Sequence, residues 1–195
     1  MGGYVKRMGG TMAPTLPKDP LHVRLTGRGG QGIILAGAIL AEGAMRDGNQ
    51  VIEAHEYGPE ARLGATKADI TISHGFIAFP EVLTADVMLC LSRDGFLRYG
   101  QSLAHDGVGI LDTAARDEFG DDPRLHFYQL RETARSLGDE IVINIVGLAV
   151  LAKLSGAISD IALAHAVTAR VKPEFRALNE SALAAGAALV STLSV

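Results

Sequence analysis

Along the first two thirds of the chain, short apolar runs alternate with stretches of helical periodicity. Leu21 to Thr26 predicts a strand and Gly27 to Gly32 a glycine-rich turn. Gln31 to Arg46 carries apolar residues at helical spacing and is closed by Asp47-Gly48, a helix stop. Gln50 to Ala54 predicts a second strand. In Ala68-Asp-Ile-Thr-Ile-Ser73 apolar and polar residues alternate with period two, which marks a strand with two unlike faces. Asp86 to Leu91 is almost continuously apolar, as expected of a strand buried on both faces. Gly107 to Leu111 and Leu125 to Leu130 complete the strand candidates, and Gly95 to Ala104 predicts a helix between them. After Asp139 the pattern is helical throughout: Glu140 to Ser155, Ser159 to Val171 with Ser159 as N-cap, and Pro173 to Val190 with Pro173 in the first turn. This order implies an α/β fold: a single three-layer domain with a mainly parallel sheet and a helix-rich C-terminal third folded back on it.

Composition narrows the picture. A chain of 195 residues suits one hydrophobic core. Apolar residues make up 48% but aromatics only 5%, with 23 Gly and no Trp, so the core is built from small aliphatic side chains that let backbones approach. A mean hydropathy of +0.21 leans toward surface that partners bury. The net charge of −4 lacks the basic excess needed to neutralise phosphates, which argues against nucleic acid as the main partner. Residues 1–20 lack the apolar core of a signal peptide and read as a disordered extension ahead of a domain over 21–195. The longest apolar stretch, Ile141 to Ala152, contains Asn144 and is shorter than the roughly 20 residues that span a bilayer. No membrane insertion is expected, and the cytoplasm is the default location.

Three features carry candidate chemistry. Gly27-Arg-Gly-Gly-Gln-Gly32 has the G-x-G-x-x-G spacing between a strand and a helix. Such a turn lets a ligand approach the backbone and presents helix N–H groups to an anion. Glu53 lies 21 residues past Gly32, at the expected end of the second strand, where a dinucleotide fold places its ribose carboxylate. A free-standing NAD-dependent oxidoreductase, or a nucleotide-binding module, is therefore one reading, although no acid–base pair stands out to support it. The second feature is Glu56-Tyr-Gly-Pro-Glu-Ala-Arg62, an ordered loop where a crossover helix is usual, with Tyr57, Glu60 and Arg62 as recognition candidates. The third is a scarcity. Cys90 is the lone cysteine and reads as a buried hydrophobe, whereas an iron–sulfur cluster needs about four thiolates. His22, His55, His74, His105, His126 and His165 are scattered without ligand spacing; His55 and His74 fall at strand ends.

The ordered set of these motifs resembles the gamma subunit of the 2-oxoacid:ferredoxin oxidoreductases. It comprises Gly27 to Gly32, Leu40-Ala-Glu42, Tyr57-Gly-Pro-Glu-Ala-Arg62, the Ala68-Asp-Ile strand ending in Ser73, Phe79-Pro80 and Ala85-Asp86. Asn144-Ile-Val-Gly-Leu-Ala149 and Asn179 to Gly186 extend it over about residues 21 to 190. Leu63 departs from the pattern, since members often carry Gly there. The resemblance implies oxidative decarboxylation of a 2-oxoacid on thiamine diphosphate, electron transfer through iron–sulfur clusters and, in many members, acyl transfer to coenzyme A. It places thiamine on alpha and beta subunits and the clusters on an iron–sulfur subunit, with no cofactor held by this chain alone. On that reading the isolated chain has no catalytic residue and is inactive. The site it brings to partners is Gly27, Gly29, Gly30, Gln31 and Gly32 together with Tyr57, Gly58, Pro59, Glu60 and Arg62.

Overall fold

A computed structural model describes residues 16–56 and 64–191. Its elements run β1 (Leu21–Arg28), α1 (Ile33–Arg46), β2 (Gln50–Glu56), β3 (Ala65–Ser73), β4 (Ala85–Cys90), α2 (Arg93–Tyr99), β5 (Leu103–Asp112), α3 (Arg116–Phe119), β6 (Leu125–Tyr128), α4 (Leu130–Ser136), α5 (Ile143–Ser155), α6 (Asp160–Arg170) and α7 (Arg176–Ser191). The strands form one six-stranded sheet in the order β2-β3-β1-β4-β5-β6. β1, β4, β5 and β6 pair in parallel, whereas β3 is antiparallel to both β1 and β2. β2 thus points the same way as β1, and β3 alone is reversed. The cause is the length of the β2–β3 connection, which is shorter than the dozen or so residues a parallel crossover needs.

Alternation along the strands builds three layers. Val23 and Leu25 of β1 and Ile70 and Ile72 of β3 face the larger core, under α1, α5 and α6. Met88, Cys90, Leu111 and Phe127 face a smaller core on the other side, against Phe96 of α2 and Phe119 of α3. Helix α5 is buried along Ile143 to Ala152 because it is covered on both sides, by the sheet and by α7. Each of Ile145, Val146, Leu148, Val150 and Leu151 there contributes about 1.5–3 kcal/mol by burial. α5 and α7 approach so closely that a Cβ on Gly186 would lie 2.4 Å from the Val146 carbonyl oxygen, so a side chain there would force the pair apart. Ser159 caps α6, accepting from Ala162 N at 3.2 Å. Asp47, at the end of α1, in turn accepts from Ser159 N and Oγ, both at 2.7 Å, which ties the two helices together.

Several expectations are corrected. The predicted Gly95 to Ala104 helix is α2 plus a 3-10 turn over Gly100–Ser102, and Leu103 already belongs to β5. Leu103 sits in the smaller core, and that burial overrides local helical preference. Leu130 does not end β6 but starts α4, a helix that the strand expectation for Leu125 to Leu130 did not foresee. Residues 16–20 are part of the folded body, not of an extension. Leu16 is buried in the larger core, and Lys18 pairs with Asp86 at 2.6 Å.

The smaller-core side of β1 and β3 is polar toward the sheet edge. Arg24, Thr26, Asp69, Thr71 and Ser73 are all buried. Arg24 meets Asp69 through two hydrogen bonds, at 2.6 and 2.8 Å, and also donates to the Val82 carbonyl at 2.7 Å.

Candidate functional site

The carboxyl ends of β1 and β4 are neighbours, yet the chain leaves β1 for β2 on one side and continues from β4 to β5 on the other. Open α/β sheets bind ligands at such a switch point. The glycine turn lies there. Gly30 (φ 92°) and Gly32 (φ 70°) both occupy the left-handed region, which makes glycine the residue of least strain at each. Gln31 staples the turn: its Oε1 accepts from Arg28 N at 2.7 Å, and its Nε2 donates to the Leu91 carbonyl at 3.0 Å, joining the ends of β1 and β4. A Cβ on Gly27 would sit 2.7 Å from that Oε1, so Gly27 leaves the room in which Gln31 folds back. Gly32 is the N-cap of α1, with no side-chain cap among the described residues and no acidic residue in the first turn. The helix therefore presents its amide N–H groups and the positive end of its dipole to whatever approaches.

Two cavities flank the turn. One, of about 370 Å³, opens toward β4 and β5 and is bordered by Arg28, Gln31, Cys90, Arg93, Asp112 and Arg131. Its cations are engaged. Arg28 pairs with Asp94 at 2.7 Å, Arg93 meets Glu118 through two contacts of 2.6 Å, and Arg131 pairs with Glu140. The hydrogen bond from Arg93 holds the Glu118 carboxyl below the usual carboxylate range. Asp112 is committed to structure, accepting from Ala114 N at 3.0 Å and Arg131 N at 2.8 Å. Cys90 is 2% exposed, and burial pushes its thiol well above the ordinary range, so it is no thiolate nucleophile at neutral pH.

The second cavity, of about 360 Å³, lies between the turn and the helical layer, with Gly30, Gly32, Leu35, Asn144, Lys172 and Phe175 on its walls. Asn144, 4% exposed, donates from Nδ2 to the Gly32 carbonyl at 3.2 Å. Asn144 and Lys172 were not among the sequence candidates for the site. The Asn144 to Ala149 motif could have pointed to the first, whereas nothing local marks the second, which α6 and α7 bring in together.

The other sequence candidates distribute as follows. Tyr57, Gly58, Pro59, Glu60 and Arg62 lie outside the described residues. The stems of their connection, Glu56 and Gly64, are at the glycine-turn end of the sheet, where Gly29 N donates to the Gly64 carbonyl at 3.2 Å. Glu53 is not at a strand end beside the turn. It is in the middle of β2, separated from β1 by β3, with Oε1 buried and 3.1 Å from where a Cβ on Gly37 of α1 would be. The ribose-carboxylate expectation fails because β3 occupies the neighbouring position. His55 and His74 lie at opposite ends of the sheet, since β3 runs against β2. Among the described residues no group of three or more His, Cys, Asp or Glu could hold a metal ion, and no helix is long and apolar enough to cross a membrane.

The sequence profile of the pyruvate ferredoxin/flavodoxin oxidoreductase family matches residues 22–189. A 2-oxoglutarate synthase subunit KorC of Methanocaldococcus jannaschii is 34% identical over 152 residues, 75% of this chain and 81% of that one. Among solved structures, the gamma subunit of a keto/oxoacid ferredoxin oxidoreductase from Geobacter sulfurreducens superposes with a TM-score of 0.76 at 35% identity, over 88% of this chain and 99% of that one. A 2-oxoglutarate:ferredoxin oxidoreductase from Magnetococcus marinus, solved with 2-oxoglutarate, coenzyme A and succinyl-CoA bound, shares the fold with a TM-score of 0.81 at 23% identity. The match covers 91% of this chain and 32% of that one.

Proposed function

Since this chain belongs to the pyruvate ferredoxin/flavodoxin oxidoreductase family, as a gamma subunit of a 2-oxoacid oxidoreductase, we propose that its glycine-turn end faces thiamine-bearing alpha and beta subunits and closes their acyl-transfer cavity. The observation that carries this reading is the open N-terminus of α1, framed by left-handed Gly30 and Gly32 and lined up by Asn144 beside a cavity that also holds Lys172. A phosphorylated ligand fits these residues. The amide N–H groups at the start of α1, which no side chain caps among the described residues, and a lysine attract its anionic groups, and Leu35 and Phe175 supply an apolar wall. Coenzyme A, when bound, supplies the thiol that accepts the acyl group. The part of this chain is to hold the anionic portion of that molecule and to exclude water. An iron–sulfur cluster needs about four thiolates and this chain offers one cysteine, the buried Cys90, so the clusters belong to a separate subunit. Choice of the 2-oxoacid rests with the thiamine-site residues, and the complex operates in the cytoplasm. The connection bearing Tyr57, Glu60 and Arg62 emerges at the same end and contacts the same partners. The planar guanidinium of Arg62 suits an anionic group there.

The test is reconstitution of the complex. Lys172→Gln is expected to weaken the apparent affinity for coenzyme A by about two- to fivefold, and Arg62→Ala to weaken assembly or coenzyme A use by about tenfold to a hundredfold. Native mass spectrometry reads assembly independently of turnover. The isolated chain, given thiamine diphosphate, a 2-oxoacid and a dye acceptor, is expected to turn nothing over. Turnover by the chain alone, or both variants staying within about twofold of wild type, overturns the reading.

A further inference from the structure

The other end of the sheet has a different character. In the β3–β4 connection Phe76 is 92% exposed, Phe79 59% and Leu83 67%, so three large apolar side chains stand in water within residues 76–83. The connection is pinned rather than free to turn them inward. Gly75 N donates to Ser73 Oγ at 3.0 Å, and His74 N to Asp19 Oδ2 at 3.4 Å. The Val82 carbonyl accepts from buried Arg24 at 2.7 Å, and the Val82 side chain is packed into the smaller core. Apolar groups held this way lose little freedom on binding, which is the condition for an anchor residue. Acidic groups share this end of the sheet. Glu81 lies within the connection, Asp19 is held against its start, and Asp19, Glu81 and Asp106 are all exposed, with Asp106 close enough to Lys18 to attract it. Lys18 is already engaged by Asp86 at 2.6 Å. The arginine-lined end lies across the sheet, beyond the strand carboxyl ends.

We propose that this β3–β4 platform docks another subunit of the same complex, one that presents an apolar hollow bordered by Lys and Arg. Charge complementarity favours such an occupant over a second copy of this chain, whose equally acidic rim would repel its twin. The inference rests on the gamma-subunit reading but uses the end of the molecule remote from the glycine turn. The chain is thus held from both ends, the turn closing a ligand cavity and the platform fixing where the subunit sits.

Co-expression with the remaining subunits of the complex, purification through a tag on a partner and native mass spectrometry test it. The double variant Phe76→Ser, Phe79→Ser is expected to weaken retention of this chain about tenfold or more, with the unfolding midpoint of the free chain unchanged because both side chains are exposed. Glu81→Lys is expected to weaken retention as well and to flatten its salt dependence. If the wild-type chain is retained by no subunit, the gamma-subunit reading itself fails. If the wild type is retained and the double variant equally so, the platform is wrong while that reading stands. Two further results would also overturn the choice of occupant. One is a free-chain dimer that the double variant dissolves without affecting the complex. The other is deletion of residues 1–15 raising apolar-dye binding in the wild type but not in the double variant, which would show that the chain's own N-terminal segment covers the surface.

Discussion

Asp69→Ala tests whether the buried ion pair beneath the platform is a structural necessity. Arg24 and Asp69 are 4% and 6% exposed and share two hydrogen bonds across the β1–β3 ladder. Removing the carboxylate strands a desolvated guanidinium, which costs about 3–5 kcal/mol in such settings. The Val82 carbonyl and the Ser102 hydroxyl still accept from Arg24, so the loss belongs in the lower half of that range. Lys67, 3.0 Å from Asp69, loses a partner too but is more exposed and adds less. At roughly 2–4 °C per kcal/mol for a domain of this size, the midpoint should fall by about 6–16 °C. Replacing both partners, Arg24→Met with Asp69→Leu, removes the stranded charge and should recover some of the loss. Part stays lost, because the Val82 carbonyl forfeits its donor at about 1–3 kcal/mol. Urea unfolding followed by far-UV circular dichroism gives both values, with an unchanged slope confirming a common transition. An Asp69→Ala cost under about 1 kcal/mol, or a double variant no more stable than the single, would refute the reasoning.

Other expectations follow from single groups. The Cys90 thiol, raised by burial, should resist alkylation in the folded chain at pH 8 and react fully once the chain is unfolded; rapid labelling of native protein would show that the strand is more open than described. Because its folded value lies above the unfolded value of about 8.5, the neutral thiol contributes no pH dependence below that pH. As pH rises above it, the unfolded state ionises first, so stability should fall; a Cys90→Ala variant should show a shallower alkaline decline. Gly30→Ala meets nothing within 4 Å and should cost only the left-handed backbone penalty of about 1–2 kcal/mol. Gly32→Ala carries a similar penalty but also places its Cβ 2.5 Å from Asn144 Nδ2, so thermal unfolding should rank it clearly below Gly30→Ala. Gln31→Ala should cost about 1–2 kcal/mol by freeing the turn from β4, and hydrogen exchange at Arg28, whose N–H loses its acceptor, reads this directly.

Much of this molecule is legible in the chain alone, because short-range physics sets it. The period-two pattern of Ala68 to Ser73 puts Ile70 and Ile72 on one face whatever the neighbours are, and that face is the one buried against α1. Ser159 caps its helix because a hydroxyl two or three residues before free N–H groups needs no tertiary help. Gly30 and Gly32 stand where a tight turn demands positive φ, and Cys90 is simply a small apolar residue on an inner strand. Other features depend on which segments meet. That β3 inserts between β2 and β1, and so separates Glu53 from the glycine turn, is a matter of sheet order, which side-chain pattern does not encode. Leu103 reads as helical locally and becomes a strand residue because the smaller core needs it. Leu16 and Lys18 look like part of a polar tail until β4 supplies Asp86 and the core supplies a hole. Asn144 reaches Gly32 across 112 positions of sequence, and the bond between them exists only because α5 packs over the start of α1. Local preference acts over a turn or two of chain, whereas the site is assembled by burial and hydrogen bonding between segments far apart, and those terms take their values only once the whole core has closed.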